Sequence, residues 1–531
     1  MLVLIVPPVA KPCEPLIGAY SLARLARGRN LPVEVIDANL DWFHHQIWGP
    51  ARPTLASQLG QRPAGSSERR LQRALRHTCT TNPMRNPATY LNRDRYQQAV
   101  EHLENILRGS AADCRDEQPG LADFRVRGLR PVSRRDLVSF LERPSTIFDS
   151  YLHGVLVPQL VAMQPRVIGF SVTFLHQVFA VVRMAGILRE ELPHIPLVLG
   201  GALVECWREA DWQHPPFDRF DAVLSLQPSS WDAWMHRYGL PMPHPNGQVF
   251  FPDPQDILSR PFFAPQPIVP LALGLGCAWG RCTFCPDYQR HTYQPAPDQS
   301  WLQALEQVLE NHAELTLHLT DSCVPPESLD CLATAIRERN LPVRWYAFVR
   351  LEKALLQPGR LEQWVGGGCR LLQFGLETAA PELLRAMHKG IQPHLAAAVL
   401  DKAAALGIRN YVYLLFGFPG ETHDHQLQTL DFVLEHKQSI HYLNNAIFIL
   451  PKNSPIAIRP EQFSINALRR LPGEDGDLSI YLDFDDGRGS ARKRARTFLQ
   501  REFLAEAAIR ERVLALPPVF KSNHAVVTSW R

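Results

Sequence analysis

Short apolar runs take turns with stretches of helical periodicity along the chain, and this alternation is the strongest constraint on its fold. Unbroken apolar runs mark strands buried on both faces, and such strands belong to parallel sheets covered by helices. In the first part the runs are residues 2–6, 33–36, 167–172, 197–199 and 222–226, with helical stretches at 16–26 and 178–190. They predict a doubly wound, Rossmann-like α/β domain over residues 1–240. An insertion at about 42–160 separates its second and third strands. It is charged and helical in places, as at 93–107, and predicts an added helical layer. Residues 241–268 carry Pro241, Pro243, Pro245, Pro252, Pro254, Pro261, Pro265 and Pro267, a composition that suits an extended linker.

Beyond the linker the alternation resumes. Strands are expected at 271–275, 315–320, 343–349, 370–376, 411–416 and 442–450, with helices such as 328–339 and 426–437. Six strand-then-helix units over 269–451 predict a parallel β/α barrel, whole or partial. Residues 452–531 form a mixed extension. Its Asp483-Phe484-Asp485-Asp486 and Arg492-Lys493-Arg494 runs read as solvated charged faces.

A chain of 531 residues is too long for one compact core. The net charge of +3 gives no reason to expect nucleic acid or an anionic membrane as partner. No apolar run approaches the roughly 18 residues of a membrane helix. The apolar start, Met1 to Pro8, has no basic segment and meets prolines at once, so it reads as a first strand and not a signal peptide. The expectation is a cytoplasmic protein. Of ten cysteines, seven are scattered without motif spacing: Cys13, Cys79, Cys114, Cys206, Cys323, Cys331 and Cys369. Each reads as a small apolar residue, not as part of a disulfide framework.

The other three crowd one stretch, Gly276-Cys277-Ala278-Trp279-Gly280-Arg281-Cys282-Thr283-Phe284-Cys285-Pro286. Close spacing lets one loop wrap one iron–sulfur cluster, and three thiolates fill three irons of a 4Fe-4S cluster while the fourth stays open to a small ligand. Gly280 permits an unusual backbone angle in such a loop. Zinc is the competing reading, with His291 near enough to serve as a fourth ligand, although structural zinc sites usually take a second Cys or His pair.

This stretch resembles the cluster loop of the radical S-adenosylmethionine (SAM) superfamily, whose usual form is Cys-x3-Cys-x2-Cys. Here the first gap holds four residues, and the form is similar to a variant among cobalamin-associated members. Other stretches agree: Phe374-Gly375-Leu376-Glu377-Thr378, Met387-His388-Lys389-Gly390 and Phe416-Gly417-Phe418-Pro419-Gly420-Glu421-Thr422. The resemblance spans about 265–450 and implies a 4Fe-4S cluster on Cys277, Cys282 and Cys285. It further implies that Phe284 lies near the SAM adenine and that Arg350 and Glu377 face SAM. Where the family often carries Gly-Gly-Glu, this chain has Thr320-Asp321-Ser322, so Asp321 and Ser322 are expected at the SAM amino group. By strand reading alone, Cys277, Asp321, Arg350 and Glu377 fall at carboxyl strand ends, where barrels bind ligands.

The N-terminal domain resembles the cobalamin-binding domain of one large radical SAM class through Pro7-Pro8, Val35-Ile36-Asp37, Gly169-Phe170-Ser171-Val172-Thr173 and Leu199-Gly200-Gly201. Ser171, Thr173, Gly200 and Gly201 then line its crevice. No Asp-x-His-x-x-Gly motif is present, with His44, His45 and Gly49 at the wrong spacing, and Asp221 to Gln227 stands where the class often has Gly-Glu-Gly-Glu. The resemblance implies a cobalamin-dependent radical SAM methyltransferase acting on an unactivated carbon of a small-molecule natural product or peptide. An electron donor such as flavodoxin or ferredoxin is the implied partner. A radical rearrangement or cyclisation without methyl transfer, and a non-catalytic cobalamin- or metal-binding regulator, are the alternatives. Substrate and catalytic residues are not named by the sequence.

Overall fold

The computed structural model describes residues 1–50, 52, 65–78, 81–207, 210–224, 236–239, 250–286, 293–295, 300–471 and 478–515. The N-terminal strands are β1 (Leu2–Ile5), β2 (Val33–Ile36), β3 (Val167–Ser171), β4 (Leu197–Gly200) and β5 (Ala222–Val223). All pair in parallel, in the order β2-β1-β3-β4-β5. The predicted strand at 222–226 is thus described for two residues, and its end lies outside the described residues, as do Gln227 and Cys79. The order reverses between β1 and β3, the switch point where open sheets of this kind bind ligands.

Helix α1 (Ile17–Arg27) buries Ala19, Tyr20, Ala23 and Ala26 on one face. Helix α2 (Ala38–Trp48) starts at Asp37, whose carboxylate accepts from the Leu40 N–H at 2.8 Å and from the Tyr20 hydroxyl at 2.6 Å. Asp37 is therefore a helix cap, which satisfies an orphan donor of the first turn.

The insertion carries α3 (Ser66–His77), α4 (Arg93–Ser110) and α5 (Arg134–Leu141), with α6 (Val178–Glu191) following β3. It also holds a short antiparallel pair, Glu117–Pro119 with Phe124–Val126, which no periodicity announces because each strand has only three residues. Tyr96, Leu103, Phe124, Phe140 and Phe148 share one core with Val3 and Phe170, so the layer belongs to the domain.

Residues 240–249, with Pro241, Pro243 and Pro245, lie outside the described residues. The rest of the proline-rich stretch is packed, not a free tether. Asp253 and Asp256 pair with Arg27, the latter at 2.7 Å. Arg260 donates to the Val35 carbonyl at 2.5 Å, and Phe263 is wholly buried against Phe43, His44 and Trp48.

The second sheet comprises β6 (Ile268–Leu271), β7 (Leu315–Leu319), β8 (Val343–Val349), β9 (Cys369–Glu377), β10 (Arg409–Phe416) and β11 (Tyr442–Ile447), all parallel and in chain order. The outer strands β6 and β11 pair with one inner neighbour each, so among the described strands this is a partial barrel. Strand β6 begins earlier than its apolar pattern suggests because Pro270 lies within it; an edge strand tolerates proline. The run expected at 442–450 ends at Ile447, and Leu450–Pro451 joins an antiparallel sheet with Tyr481–Asp485 and Ala467–Arg470.

Alternate side chains separate the two faces of this sheet. Leu315, Leu317, Trp345, Ala347, Leu372, Phe374, Val412 and Leu414 pack in one core with covering helices such as α7 (Pro326–Glu338), α8 (Pro393–Ala405) and α9 (His423–Glu435). Tyr346, Leu371, Tyr411 and Tyr442 instead join the core of the N-terminal domain. The contact is also polar: Nδ1 of His318 on β7 lies 3.0 Å from the buried Glu14 carboxylate, and the His318 ring stacks on Tyr346 at 4.9 Å. No helix among the described residues is long and apolar enough to cross a membrane.

The turn after β10 holds a buried carboxyl. Glu421 is 5% exposed and accepts from the Gly417 N–H at 2.6 Å and from Gln426 Nε2 at 2.8 Å. Burial pushes its pKa from 4.5 up to about 7. The unfolded chain therefore ionises first, so Glu421's contribution is full below about pH 4.5 and is lost as pH rises towards 7. Glu421→Gln should keep both hydrogen bonds and remove this loss. Relative to the variant, wild type should lose roughly 3 kcal/mol between pH 4.5 and 8, read from urea unfolding at each pH. Identical pH profiles for the two proteins would contradict the assignment.

Candidate cofactor site

The cysteine loop is anchored before it begins. Past β6, the N–H groups of Leu273 and Gly274 donate to the Asp321 carboxylate at 3.0 and 2.9 Å, and the Tyr293 hydroxyl donates to it at 3.2 Å. Gly274 is required there, since a Cβ would lie 2.5 Å from the Tyr293 ring. Asp321 is 3% exposed, and burial raises its pKa to about 6. It fixes the strand that carries the loop, while its neighbour Ser322 is exposed.

The loop then docks on the segment around 386–390. The Thr283 N–H donates to the Met387 carbonyl at 3.0 Å, its hydroxyl to Ala386 at 3.1 Å, and Trp279 Nε1 to His388 at 2.8 Å. Gly390 sits at φ +65°, and a Cβ there would meet the Trp279 ring at 2.4 Å. Two separate sequence motifs are thus halves of one contact.

Arg350, at the end of β8, stacks on Trp279 with its guanidinium carbon 3.9 Å from the ring centroid, and donates to the Lys389 carbonyl at 2.7 Å. Its side chain is 9% exposed, and its Nε makes no hydrogen bond among the described residues, lying 3.9 Å from Glu352. A buried guanidinium with an unpartnered donor is suited to a nearby anionic group. Glu377 ends β9 at φ +67°, an uncommon angle for a side-chain-bearing residue, and accepts from Lys389 Nζ at 2.8 Å. Gly375 makes room for this pair: a Cβ there would lie 2.5 Å from the Glu377 carboxylate and 2.9 Å from Nζ. Burial works against the Lys389 charge, but Glu377 and Cys282 together more than offset it and the pKa is raised. Lys389 also lies 5.7 Å from the Phe284 ring centroid.

Cys277 pairs with Cys323 as a parallel β-bridge, and the neighbouring Cys323 thiol, the Gly280 and Trp279 N–H groups and Arg350 together lower its pKa to about 5 against the effect of burial. Burial raises that of Cys282. Among the described residues no three His, Cys, Asp or Glu side chains converge on a single metal ion. His291 lies outside the described residues. The donor set, three cysteines on one wrapping loop beside Lys389 and Arg350, fits an anionic cluster with thiolate ligands.

In the N-terminal domain, Ser171 is buried, Thr173 and Gly200 are half-buried, and Gly201 is exposed. Gly201, at φ +111°, is forced by packing, since a Cβ would lie 2.4 Å from the Val172 carbonyl oxygen. The gap between β1 and β3 is bridged by the wholly buried Gln177. Its Oε1 accepts from the Thr173 and Phe174 N–H groups at 2.8 and 2.9 Å, and its Nε2 donates to Pro7 at 2.7 Å. The crest formed by Thr173, Gly200 and Gly201 is the part left accessible. Gln177 and Cys323 had no single-residue signal in the sequence.

Fold and site together are a partial parallel β/α barrel with a three-cysteine loop past its first strand, next to a doubly wound sheet. Residues 271–433 match the model of the Radical SAM superfamily. An uncharacterized methyltransferase of Pyrococcus horikoshii is 27% identical over 101 residues, covering 19% of this chain and 22% of that one. An uncharacterized protein of Methanopyrus kandleri is 31% identical over 106 residues, 20% of each. The chain thus spans about a fifth of the length of these relatives. Among solved structures, the cobalamin-dependent SAM radical enzyme OxsB with aqua-cobalamin bound superimposes with a TM-score of 0.50 at 14% identity, covering 65% of this chain and 60% of that one. The radical SAM methyltransferase TsrM of Kitasatospora setae, with cobalamin and a 4Fe-4S cluster bound, gives 0.50 at 14%, covering 94% and 85%. These two likenesses speak to the fold.

Proposed function

We propose that this chain is a radical SAM enzyme, a cobalamin-dependent methyltransferase acting on an unactivated carbon of a small-molecule or peptide substrate. The observation that carries the reading is the loop that bears Cys277, Cys282 and Cys285, docked through Thr283 and Trp279 on residues 386–388 beside Arg350 and the Glu377–Lys389 pair. The methyltransferase name of the Pyrococcus horikoshii relative and of TsrM supports the choice of reaction. Bound here, a 4Fe-4S cluster would supply the electron that cleaves SAM to methionine and a 5′-deoxyadenosyl radical, and cobalamin would supply the methyl group.

The chain's own residues have separable tasks. Cys277, Cys282 and Cys285 would hold the cluster. Arg350 would give its guanidinium charge to an anionic group of SAM, and Glu377 would present a carboxylate to the amino group. Asp321 and Trp279 hold the loop in place, and Phe284 flanks the adenine side. Thr173, Gly200 and Gly201 offer an accessible strand-end crest to cobalamin, with Ser171 beneath it.

The test is anaerobic reconstitution with iron and sulfide, reduction with dithionite, and chromatography of a SAM incubation. 5′-Deoxyadenosine should form slowly without substrate, and Arg350→Ala should lower its rate at subsaturating SAM. Its complete absence from a sample with full iron content counts against an enzyme and favours the regulator. Equilibrium dialysis with hydroxocobalamin tests the second cofactor. Failure to retain it would remove methyl transfer and leave another radical reaction.

A further inference from the structure

One layer of the barrel's inner face lies between a sealed floor and the cofactor residues. The floor is Tyr346, Leu371 and Tyr411, buried in the core shared with the N-terminal domain. Two residues further along the same strands, on the same face, stand Phe348, Gln373 and Tyr413, a step of about 6.6 Å. Phe348 is in register with Gln373, and Tyr413 with Gly375, the residue that makes room for the Glu377–Lys389 pair. Arg350 stands two residues beyond Phe348. The layer is therefore the next one down from the groups that would meet SAM.

Phe348 and Tyr413 are half-buried, with ring centroids 5.2 Å apart and planes inclined at 51°. The Tyr413 hydroxyl donates to Gln373 Oε1 at 2.9 Å, which fixes the carboxamide. Gln373 is 4% exposed, and its Nε2 has no hydrogen-bond partner among the described residues. An amide donor in so buried a side chain is costly to leave without an acceptor. Asn444, in register with Tyr413, is half-buried and adds a second carboxamide. None of these four side chains carries a charge, and His318 on the adjoining β7 is held by Glu14 at 3.0 Å.

We propose that Phe348, Tyr413 and Gln373 form a substrate subsite for an uncharged aromatic ring that bears a hydrogen-bond acceptor, such as a phenol oxygen. The proposal rests on the radical SAM reading above and narrows its substrate class. The two rings supply the faces and edges against which an aromatic group packs, and Gln373 Nε2 supplies the donor that selects its polar edge. A site built around such a donor discriminates against the analogue that lacks the acceptor.

The experiment uses the full chain, reconstituted anaerobically with iron and sulfide. Binding of p-cresol, toluene and cyclohexanol is titrated by saturation-transfer NMR, and thermal unfolding is measured on each variant. p-Cresol should bind more tightly than toluene, which lacks the acceptor, and than cyclohexanol, which lacks the ring. Gln373→Leu should weaken p-cresol about three- to tenfold and leave toluene unchanged. Phe348→Ala should weaken both. If Gln373→Leu does not fold, Tyr413→Phe takes its place: it removes only the hydroxyl that orients the carboxamide, and it should weaken p-cresol and spare toluene. p-Cresol that binds no more tightly than cyclohexanol, or with unchanged affinity in the folded Gln373 or Tyr413 variant, overturns the proposal. 5′-Deoxyadenosine formation by the same preparations separates the two readings. Protein that forms it without ring-selective binding overturns this proposal alone. Ring-selective binding in a fully iron-loaded protein that forms none supports the subsite and counts against the radical SAM reading.

Discussion

Replacing Cys277, Cys282 and Cys285 together by alanine is expected to abolish the near-ultraviolet and visible iron–sulfur absorption of the reconstituted protein and leave the fold intact. The loop does not depend on its thiols for position. Asp321 holds the preceding strand, and Thr283 and Trp279 tie the loop to residues 386–388. Circular dichroism and the unfolding midpoint should therefore change little. The metal content should fall to background, because the remaining thiol at the site, Cys323, cannot hold a cluster alone. A triple variant that still takes up a full complement of iron and sulfide would place the ligands elsewhere.

Lys389→Met should be costly in a different way. The Lys389 and Glu377 side chains are 12% and 14% exposed and lie 2.8 Å apart. Removing one partner of a buried pair strands the other charge, typically at about 3–5 kcal/mol. The loss should show in urea unfolding of the apo protein, before any cofactor is added. Glu377→Gln in the same background should recover part of it, since the stranded charge is then gone. A single variant within about 1 kcal/mol of wild type would show that the pair is effectively solvated.

The legible parts of the fold are those written in uninterrupted local pattern. Strands β1 to β4 and β7 to β10 lie close to the bounds that their apolar runs predict, because a strand covered on both faces leaves no polar interruption. Strand β6 was obscured by its own Pro270, and the strand pair in the insertion by its shortness. At the site, the cysteine spacing and the charged residues ending β8 and β9 were readable. Partners across the sheet were not. Asp321 reads as a carboxylate for the SAM amino group, yet its oxygens meet N–H groups of a neighbouring strand's extension. Cys323 reads as filler, yet it faces Cys277. Both are decided by which residues adjoin when strands align, a long-range fact with no local trace.

The shared core between the two sheets bears on inheritance. The proline-rich stretch is an obvious place to cut and rejoin coding segments, but the seam is not there. Tyr346, Leu371, Tyr411 and Tyr442 face the other domain as their interior, and His318 meets Glu14 from the loop before α1. A chimera joined at residues 250–267 would bring together surfaces shaped for other partners, with an unmatched carboxylate or imidazole between them. A graft from a relative must therefore carry the loop around Glu14 and the barrel strands together.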